Sequence, residues 1–384
     1  MTDIKIVTGL NYGDESKGLV ANAVSTSSSL TILASNSCQR GHTVVEGGIR
    51  HVFRHFGTAT IKGAANYFTE KFYVNPAMFR KEFLELQKLG VAPKVFAKEG
   101  SIIITPMDMF ASIEVEHQVG ENRHTTTGMG VWQGLRRHKN AVGMTLGNNY
   151  TYCNGGLIKD YYLNFFKENG ELNDNIFQFY NGEYLCDNFY NDLQFFLDNV
   201  TLIKSDEEEK ELLRSYPLIV FENSQGLLLD DDYNMDVDHN TPAHVGTMRP
   251  KEVIERVFEP NEAKIEAMYV TRTYLTRHGK GEMQGIECNK ADINPDMFDK
   301  TNTWNFGQGG LRYAKFDNEA AKCAISRIKA DNMWTGNSLS LWGKPSIVIT
   351  HINEYNDGLI ENLARENDIK IYTSDNEETI KEEK

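Results

Sequence analysis

Apolar residues along this chain come in short runs, separated by glycine- or asparagine-bearing turns and by longer amphipathic stretches. Ile4–Thr8 is a β-rich run, Leu19–Val24 reads as the start of a helix, and Leu30–Ala34 reads as a second buried strand. Strand, turn, helix, strand is a βαβ pattern, which implies parallel pairing. Ile102–Thr105, Leu218–Glu222, Ala267–Thr271 and Ser346–Thr350 are further strand candidates, and helical stretches cover Pro76–Leu89, Asp317–Ala330 and Gly358–Asn367. Tyr150–Tyr190, rich in Tyr, Phe and Asn, reads as an insertion whose aromatics pack against the sheet or against a second subunit. Ser205–Lys210 reads as the solvated face of an acidic helix, and Asp375–Lys384 as a frayed charged tail. The pattern predicts an α/β fold: a P-loop-like, mostly parallel central sheet flanked by helices, as one domain over residues 1–384 with an insertion around 106–215.

Composition narrows the partners. A net charge of −14 repels a nucleic-acid backbone, so DNA or RNA is not expected as a ligand. An anionic small substrate would need a local patch of donors. No run of 18 apolar residues occurs, so no membrane span is expected. The start MTDIKIVTGL lacks the features of a secretory signal. The five cysteines are scattered without a CxxC pair, which reads as reduced thiols in a cytoplasm.

Chemistry concentrates at Asn11–Gly18, NYGDESKG, directly after the first strand. Gly9, Gly13 and Gly18 permit a sharp turn and close approach of backbone to a ligand. A helix beginning near Ser16 would aim free amides at an anion, and Lys17 adds a point charge for phosphate. The spacing is not the GxxxxGK[ST] of common nucleotide hydrolases. Asp14 is the informative residue, because a carboxylate in a phosphate cradle needs a task. Two tasks fit: holding Mg²⁺ or removing a proton from a second substrate. Further on, Gln39–Val45 (QRGHTVV) places an imidazole, His42, in a turn where it could steady charge on a transferred phosphoryl group.

Seven segments in order resemble those of the adenylosuccinate synthetase family. GDESKG resembles GDEGKG, and Gly41–Val45 resembles the GHTVV-type second signature. Thr126–Gly130 (TTGMG) resembles TTGRG, and Phe221–Asp232 (FENSQGLLLDDD) resembles FEGAQGxLLDxD. Thr276–Gly279 resembles TTRVG, Asn305–Asp317 the family's arginine-rich loop, and Ile349–Asp357 LTKLDVLD. The resemblance implies a ligase joining L-aspartate to C6 of a 6-oxopurine nucleotide after phosphorylation of O6 by a nucleoside triphosphate. It implies Asp14 as base, His42 as the group stabilising O6, and Lys17 as a phosphate contact. It implies Mg²⁺ held by Asp14 and the Gly41 carbonyl. The donor nucleotide would meet Gly13, Glu15, Ser16, Lys17, Gly18, Gly41, His42, Thr43, His351 and Asn353. The purine monophosphate would meet Asp14, Gln39 (where the family has asparagine), Thr127, Gln225, and Thr241 or Asn240. Aspartate would meet Gly309, Gly310 and Arg312. A homodimer is implied, with Arg136 or Arg137 crossing between subunits.

Departures from the family carry their own expectations. The family's guanine-reading aspartate is Asn353 here, and an amide offers one donor and one acceptor, which suits adenine better than guanine. The donor is therefore expected to be ATP or dATP. The arginine run keeps only Arg312, and a lost arginine suits a substrate without a 2′-hydroxyl. These changes resemble the divergent bacteriophage branch of the family, the 2-aminoadenylosuccinate synthetases, which implies dGMP as substrate and a host cytoplasm as location. IMP with GTP is the alternative. A non-catalytic nucleotide-binding regulator is a reading of another class, opposed by retention of Asp14, Lys17 and His42.

Overall fold

A computed structural model describes residues 1–119, 127–140, 143–147, 156–168, 182–230, 241, 243–297, 301–302, 309–333 and 342–383. Its centre is a ten-stranded sheet. In chain order its strands are β1 (Thr2–Gly9), β2 (Leu30–Leu33), β5 (Ala65–Phe68), β6 (Val95–Lys98), β7 (Thr201–Ile203), β8 (Leu218–Gly226), β9 (Ala263–Arg272), β13 (Ser346–Thr350), β14 (Lys370–Thr373) and β15 (Lys381–Glu382). A hairpin, β3 (His42–Glu46) and β4 (Ile49–Phe53), and a three-stranded sheet, β10 (Leu275–His278), β11 (Ile286–Cys288) and β12 (Leu311–Lys315), stand apart from it.

The large sheet runs β15-β14-β13-β9-β1-β8-β2-β5-β6-β7, parallel throughout except for the β14–β15 pair. β1 lies in the middle, with Ile4 opposite Ile219 on one side and Ile265 on the other. Its alternation divides the core. Ile4 and Ile6 point to a layer with Val253, Ile254 and Val257 of the helix Met248–Val257. Val7 points to the opposite layer with Val20 and Ala21 of the helix Lys17–Val24. This near-continuous burial is what a parallel strand covered on both faces requires. Loops leaving the carboxyl ends of β1, β2, β8 and β9 therefore converge on one edge, where ligands bind in open α/β sheets.

Several elements match their sequence patterns. β13 spans Ser346–Thr350, and Asn75 caps the helix Pro76–Lys88 by accepting from the Met78 amide at 3.1 Å, with proline at the first helical position. Aromatics from the helices Gly156–Glu168 and Gly182–Asp198 pack inward. Tyr162, Phe166, Phe189 and Phe196 join Phe68 of the sheet and Phe79 of the capped helix in one cluster.

Three expectations are corrected. Ile102–Thr105 forms no ladder strand; only single bridges connect Ile103 to Val74 and Ile102 to Thr145. The helix Asp206–Arg214 is not wholly solvated, because Glu209 is buried. Its carboxylate accepts from the Tyr67 hydroxyl at 2.6 Å and from Arg256 Nε at 2.8 Å. The tail is not frayed throughout, since Lys381 and Glu382 pair antiparallel with β14. Among the described residues no helix is long and apolar enough to cross a membrane.

Candidate functional site

The edge of the sheet opens into a cleft of about 650 Å³. Residues 12–19 after β1 form its floor. Gly13 has φ of 109° and Ser16 has φ of 69°, so the turn reverses through left-handed backbone twice within four residues. Gly18 lets the helix start against the hairpin, for a Cβ there would lie 2.8 Å from the His42 Cβ.

Glu15 organises this turn. Its buried carboxylate accepts from the Asn11 amide at 2.7 Å, from Asn11 Nδ2 at 2.8 Å and from the Gly13 amide at 3.3 Å. Lys17 is buried too and donates to the Gly13 carbonyl. Burial is the main influence on both, raising the Glu15 pKa and lowering that of Lys17, each opposed by the other's charge. Asp14 differs. Its carbonyl accepts from Arg272 Nε at 2.6 Å and Thr276 Oγ1 at 3.3 Å, while its carboxylate lies in the cleft, 3.9 Å from His278 Nε2. Among the described residues that carboxylate accepts no hydrogen bond.

His42 begins β3 and faces the same cleft. Its Nδ1 lies 2.6 Å from Glu222 Oε1, and its Nε2 has no partner among the described residues. Glu222 comes from the polar end of β8. It also accepts from Arg40 Nη1 at 3.2 Å and from the amide and hydroxyl of Thr58, both at 2.8 Å. Burial alone would raise the Glu222 pKa, but Arg40, His42 and Thr58 outweigh it and the carboxyl is held below its usual range. Burial pushes His42 down to about 4 despite Glu222. A neutral imidazole facing an ionised carboxylate donates through Nδ1–H and presents the Nε2 lone pair.

The structure brings most of the expected site residues to this one cleft. Gly13, Asp14, Glu15, Ser16, Lys17, Gly18, Gln39, Gly41, His42, Thr43, Thr127, Gln225, His351 and Asn353 all line it. His351 reaches across to Ser16, Nε2 to Oγ at 3.0 Å, and its Nδ1 is 3.1 Å from Glu354. Thr241 sits just behind the lining, 3.3 Å from Gln39 Nε2 and 3.2 Å from Asn36 Nδ2. Asn240 lies outside the described residues. Gly309, Gly310 and Arg312 do not line the cleft. Arg312 donates to the carbonyls of Gly281 at 2.8 Å and Gly279 at 3.3 Å, and pairs with Glu287 at 2.8 Å. Arg137 is buried in its own chain against Asp108 and so is not available to reach another subunit, whereas Arg136 is exposed over the Phe165 ring.

Sequence reasoning missed Arg40, Arg50, Arg54, Glu222, Arg272 and His278. Only Glu222 left a readable signal, an acid directly after the apolar run Leu218–Phe221 and within the same strand.

For Mg²⁺ the donor chemistry fits. Asp14 offers a carboxylate with open lone pairs, and Gly41 stands at the cleft mouth. Among the described residues no three His, Cys, Asp or Glu side chains form a complete cage. An ion here would share its shell with substrate oxygens, as Mg²⁺ commonly does.

The chain has relatives among known proteins. The chain is 24% identical over 294 residues to an adenylosuccinate synthetase of Koribacter versatilis, covering 72% of this chain and 62% of the relative. It is 24% identical over 293 residues to that of Buchnera aphidicola subsp. Schizaphis graminum, covering 72% and 63%. The match thus spans under two thirds of these relatives' length. Among solved structures, the fold is similar to a cyanophage S-2L succinoaminodeoxyadenylate synthetase bound to dGMP and dATP as an energy donor. The TM-score is 0.65 at 15% identity, over 100% of this chain and 95% of that one. It is equally similar to a fully ligated Plasmodium falciparum adenylosuccinate synthetase, TM-score 0.65 at 14% identity, over 92% and 77%. The family model for adenylosuccinate synthetase matches residues 6–303, and the chain belongs to that family.

Proposed function

We propose that this protein is a C–N ligase that joins L-aspartate to C6 of a 6-oxopurine nucleotide, with dGMP as substrate and ATP or dATP as donor. The observation that carries the reading is the pairing of Asp14 and His42 on one cleft: a carboxylate with open lone pairs, and an imidazole anchored at Nδ1 with Nε2 uncommitted. Asp14 takes the N1 proton of the purine, which turns O6 into a nucleophile toward the γ-phosphorus; the P–O bond to ADP or dADP breaks. The aspartate amine then adds at C6, and inorganic phosphate leaves with O6. Mg²⁺, held by Asp14 and the Gly41 carbonyl, would supply charge neutralisation on the donor's phosphates. Glu222 fixes the His42 ring by accepting Nδ1–H. Negative charge building on O6 beside Nε2 would favour the imidazolium, against the burial that lowers it. Lys17 and the turn amides hold phosphate, and burial of the cradle excludes water.

The donor assignment rests on Asn353, which faces the cleft beside Asn376 and Glu377. The dGMP assignment draws support from the fold likeness that extends over 95% of a phage synthetase solved with dGMP and dATP. A homodimer in a cytoplasm belongs to the same reading, as does a single domain over residues 1–384 with an insertion around 106–215. The test is a matrix of dGMP, GMP and IMP against ATP, dATP and GTP, with Mg²⁺, followed by near-ultraviolet absorbance. An aspartate-dependent change, largest with dGMP and ATP or dATP, is expected. Phosphate release without aspartate incorporation overturns the assignment.

A further inference from the structure

Ser16 and His351 share an uncommon backbone. Five described residues other than glycine have positive φ. Asn36, Asn261 and Asp368 are of types that enter left-handed backbone readily; the other two are Ser16 at 69° and His351 at 59°. These two touch each other across the cleft, Ser16 Oγ to His351 Nε2 at 3.0 Å. Strained residues persist where surrounding structure holds them, and they gather at reactive sites. Two contacts hold this pair. The Thr350 hydroxyl, one residue before His351, lies 3.3 Å from the carbonyl of Glu15, one residue before Ser16. The Thr273 hydroxyl donates to the His351 carbonyl at 3.4 Å.

Behind the imidazole stands a carboxylate. His351 Nδ1 is 3.1 Å from Glu354. Glu354 also accepts from the Tyr274 hydroxyl, which in turn accepts from Arg272 Nη1 at 2.9 Å. Burial would raise the Glu354 pKa, but His351 and Tyr274 outweigh it and the carboxyl is held below its usual range. An ionised Glu354 facing a neutral imidazole keeps the ring proton at Nδ1 and leaves the Nε2 lone pair toward the Ser16 hydroxyl. Hydroxyl, imidazole and carboxylate in that order make the arrangement of an activated nucleophile. All three residues line the cleft. They are also this chain's own. GDEGKG has glycine where Ser16 stands, and LTKLDVLD has lysine and valine where His351 and Glu354 stand.

Resting on the ligase reading, which puts a nucleoside triphosphate on this turn, we infer that Ser16 is a self-phosphorylation site whose hydroxyl takes the donor's γ-phosphoryl group. The Ser16 Oγ–P bond forms, and the bond from the γ-phosphorus to the oxygen shared with the β-phosphate breaks. Its electron pair leaves on the nucleoside diphosphate. The hydroxyl proton passes to His351 Nε2, and Glu354 positions the ring through Nδ1–H. The phosphoserine then stands in the cradle that receives the next triphosphate, and its charge and bulk close the modified protein to its donor.

The experiment incubates the full-length protein with Mg²⁺ and ATP carrying a radiolabelled γ-phosphate, without monophosphate or aspartate, and maps the label by mass spectrometry. Phosphate is expected on Ser16 and absent from Ser16→Ala. Labelling should slow about 10²-fold or more in His351→Gln, as for loss of a general base. It should slow about tenfold in Glu354→Gln, with Glu354→Asp recovering part of the loss. Thermal midpoints matching wild type show that the variants fold. A wild type that forms the aspartate adduct yet carries no phosphate on Ser16 overturns the inference. So does a label confined to another residue, or a rate untouched in His351→Gln. If no aspartate adduct forms with any donor, the ligase reading falls instead, and a fluorophosphonate probe decides on Ser16, because it forms the same Oγ–P bond and expels fluoride. Marking of Ser16 that slows about 10²-fold in His351→Gln sustains the activated hydroxyl; an unmarked Ser16 overturns it as well.

Discussion

Two buried ionic clusters in this molecule share their chemistry and differ in one atom. In the first, Asp108 accepts from Arg137 Nε and Nη2, both at 2.9 Å, from the Tyr162 hydroxyl at 2.5 Å, and from the Thr105 amide at 2.7 Å and hydroxyl at 2.9 Å. Arg137 Nη2 also reaches the Ile103 carbonyl at 3.0 Å. In the second, Glu222 accepts from Arg40, His42 and Thr58. Both carboxylates are almost fully buried. The first cluster is closed and fastens the helix Val131–Lys139 to the first turn of the helix Pro106–Val119 and to the segment before it. The second leaves His42 Nε2 uncommitted at the wall of the cleft. A buried polar atom without a partner costs stability, so it persists where another requirement keeps it. The first cluster is saturated, and in the second the spare nitrogen on the cleft is the atom that the proposed chemistry would use.

The sharpest test of that contrast is Asp14→Asn, beside the open cluster. Turnover should fall about 10²–10⁴-fold with nucleotide KM values nearly kept, because a positioned base is lost while no hydrogen bond is broken. Retention of more than a tenth of the rate removes Asp14 as the base. Next come Glu222→Gln and Asp108→Asn compared by denaturant unfolding. Each strands a buried guanidinium and should cost roughly 3–5 kcal/mol. Only Glu222→Gln should also alter the pH profile of turnover in the folded protein; a matching change in Asp108→Asn breaks the distinction.

A third carboxylate sharpens it from another side. Asp331 is buried like Glu222, but its partners are neutral: the Thr247 amide at 3.1 and 3.2 Å and the Tyr269 hydroxyl at 2.7 Å. Without a cation, burial dominates and lifts it to about 6. The folded protein therefore binds this proton more readily than the unfolded chain does. Relative to Asp331→Asn, wild type should gain stability as pH falls from 7 through 6 toward 4, by roughly 3 kcal/mol at most. A flat difference across that window contradicts the assignment. The smallest effect is expected from Asn353→Asp, which should shift donor preference toward GTP by about 1–3 kcal/mol. An unchanged ratio of ATP to GTP use would refute the reading of that amide.

How far the sequence alone reached is clear from particular residues. The turn Asn11–Gly18 and the central strands were legible because glycine placement and continuous apolar runs have few physical meanings. His42 was found, but its anchor Glu222 was not assigned a role, because its partners come from residues 40, 42 and 58, far away in the chain. The hairpin was read only as a signature turn, since its strands mix charged and β-branched residues without a clean alternation. Glu209 was read as solvated from its acidic neighbours, yet Tyr67 and Arg256, remote in sequence, enclose it. Arg312 is expected on a ligand only through the resemblance of its segment to the family's arginine-rich loop; the antiparallel pairing of β11 with β12, remote from that motif, brings Glu287 to it.

Ser16 adopts left-handed backbone, which a non-glycine residue enters only at a cost of about 1–2 kcal/mol. Its hydroxyl reaches the imidazole of His351, two positions before Asn353. The loop proposed to cradle the triphosphate and the loop proposed to meet its base are thereby latched together. On the proposed function, a nucleobase settling at Asn353 would pull on the phosphate loop through that latch, so the fit of the base would be felt where the phosphoryl group departs.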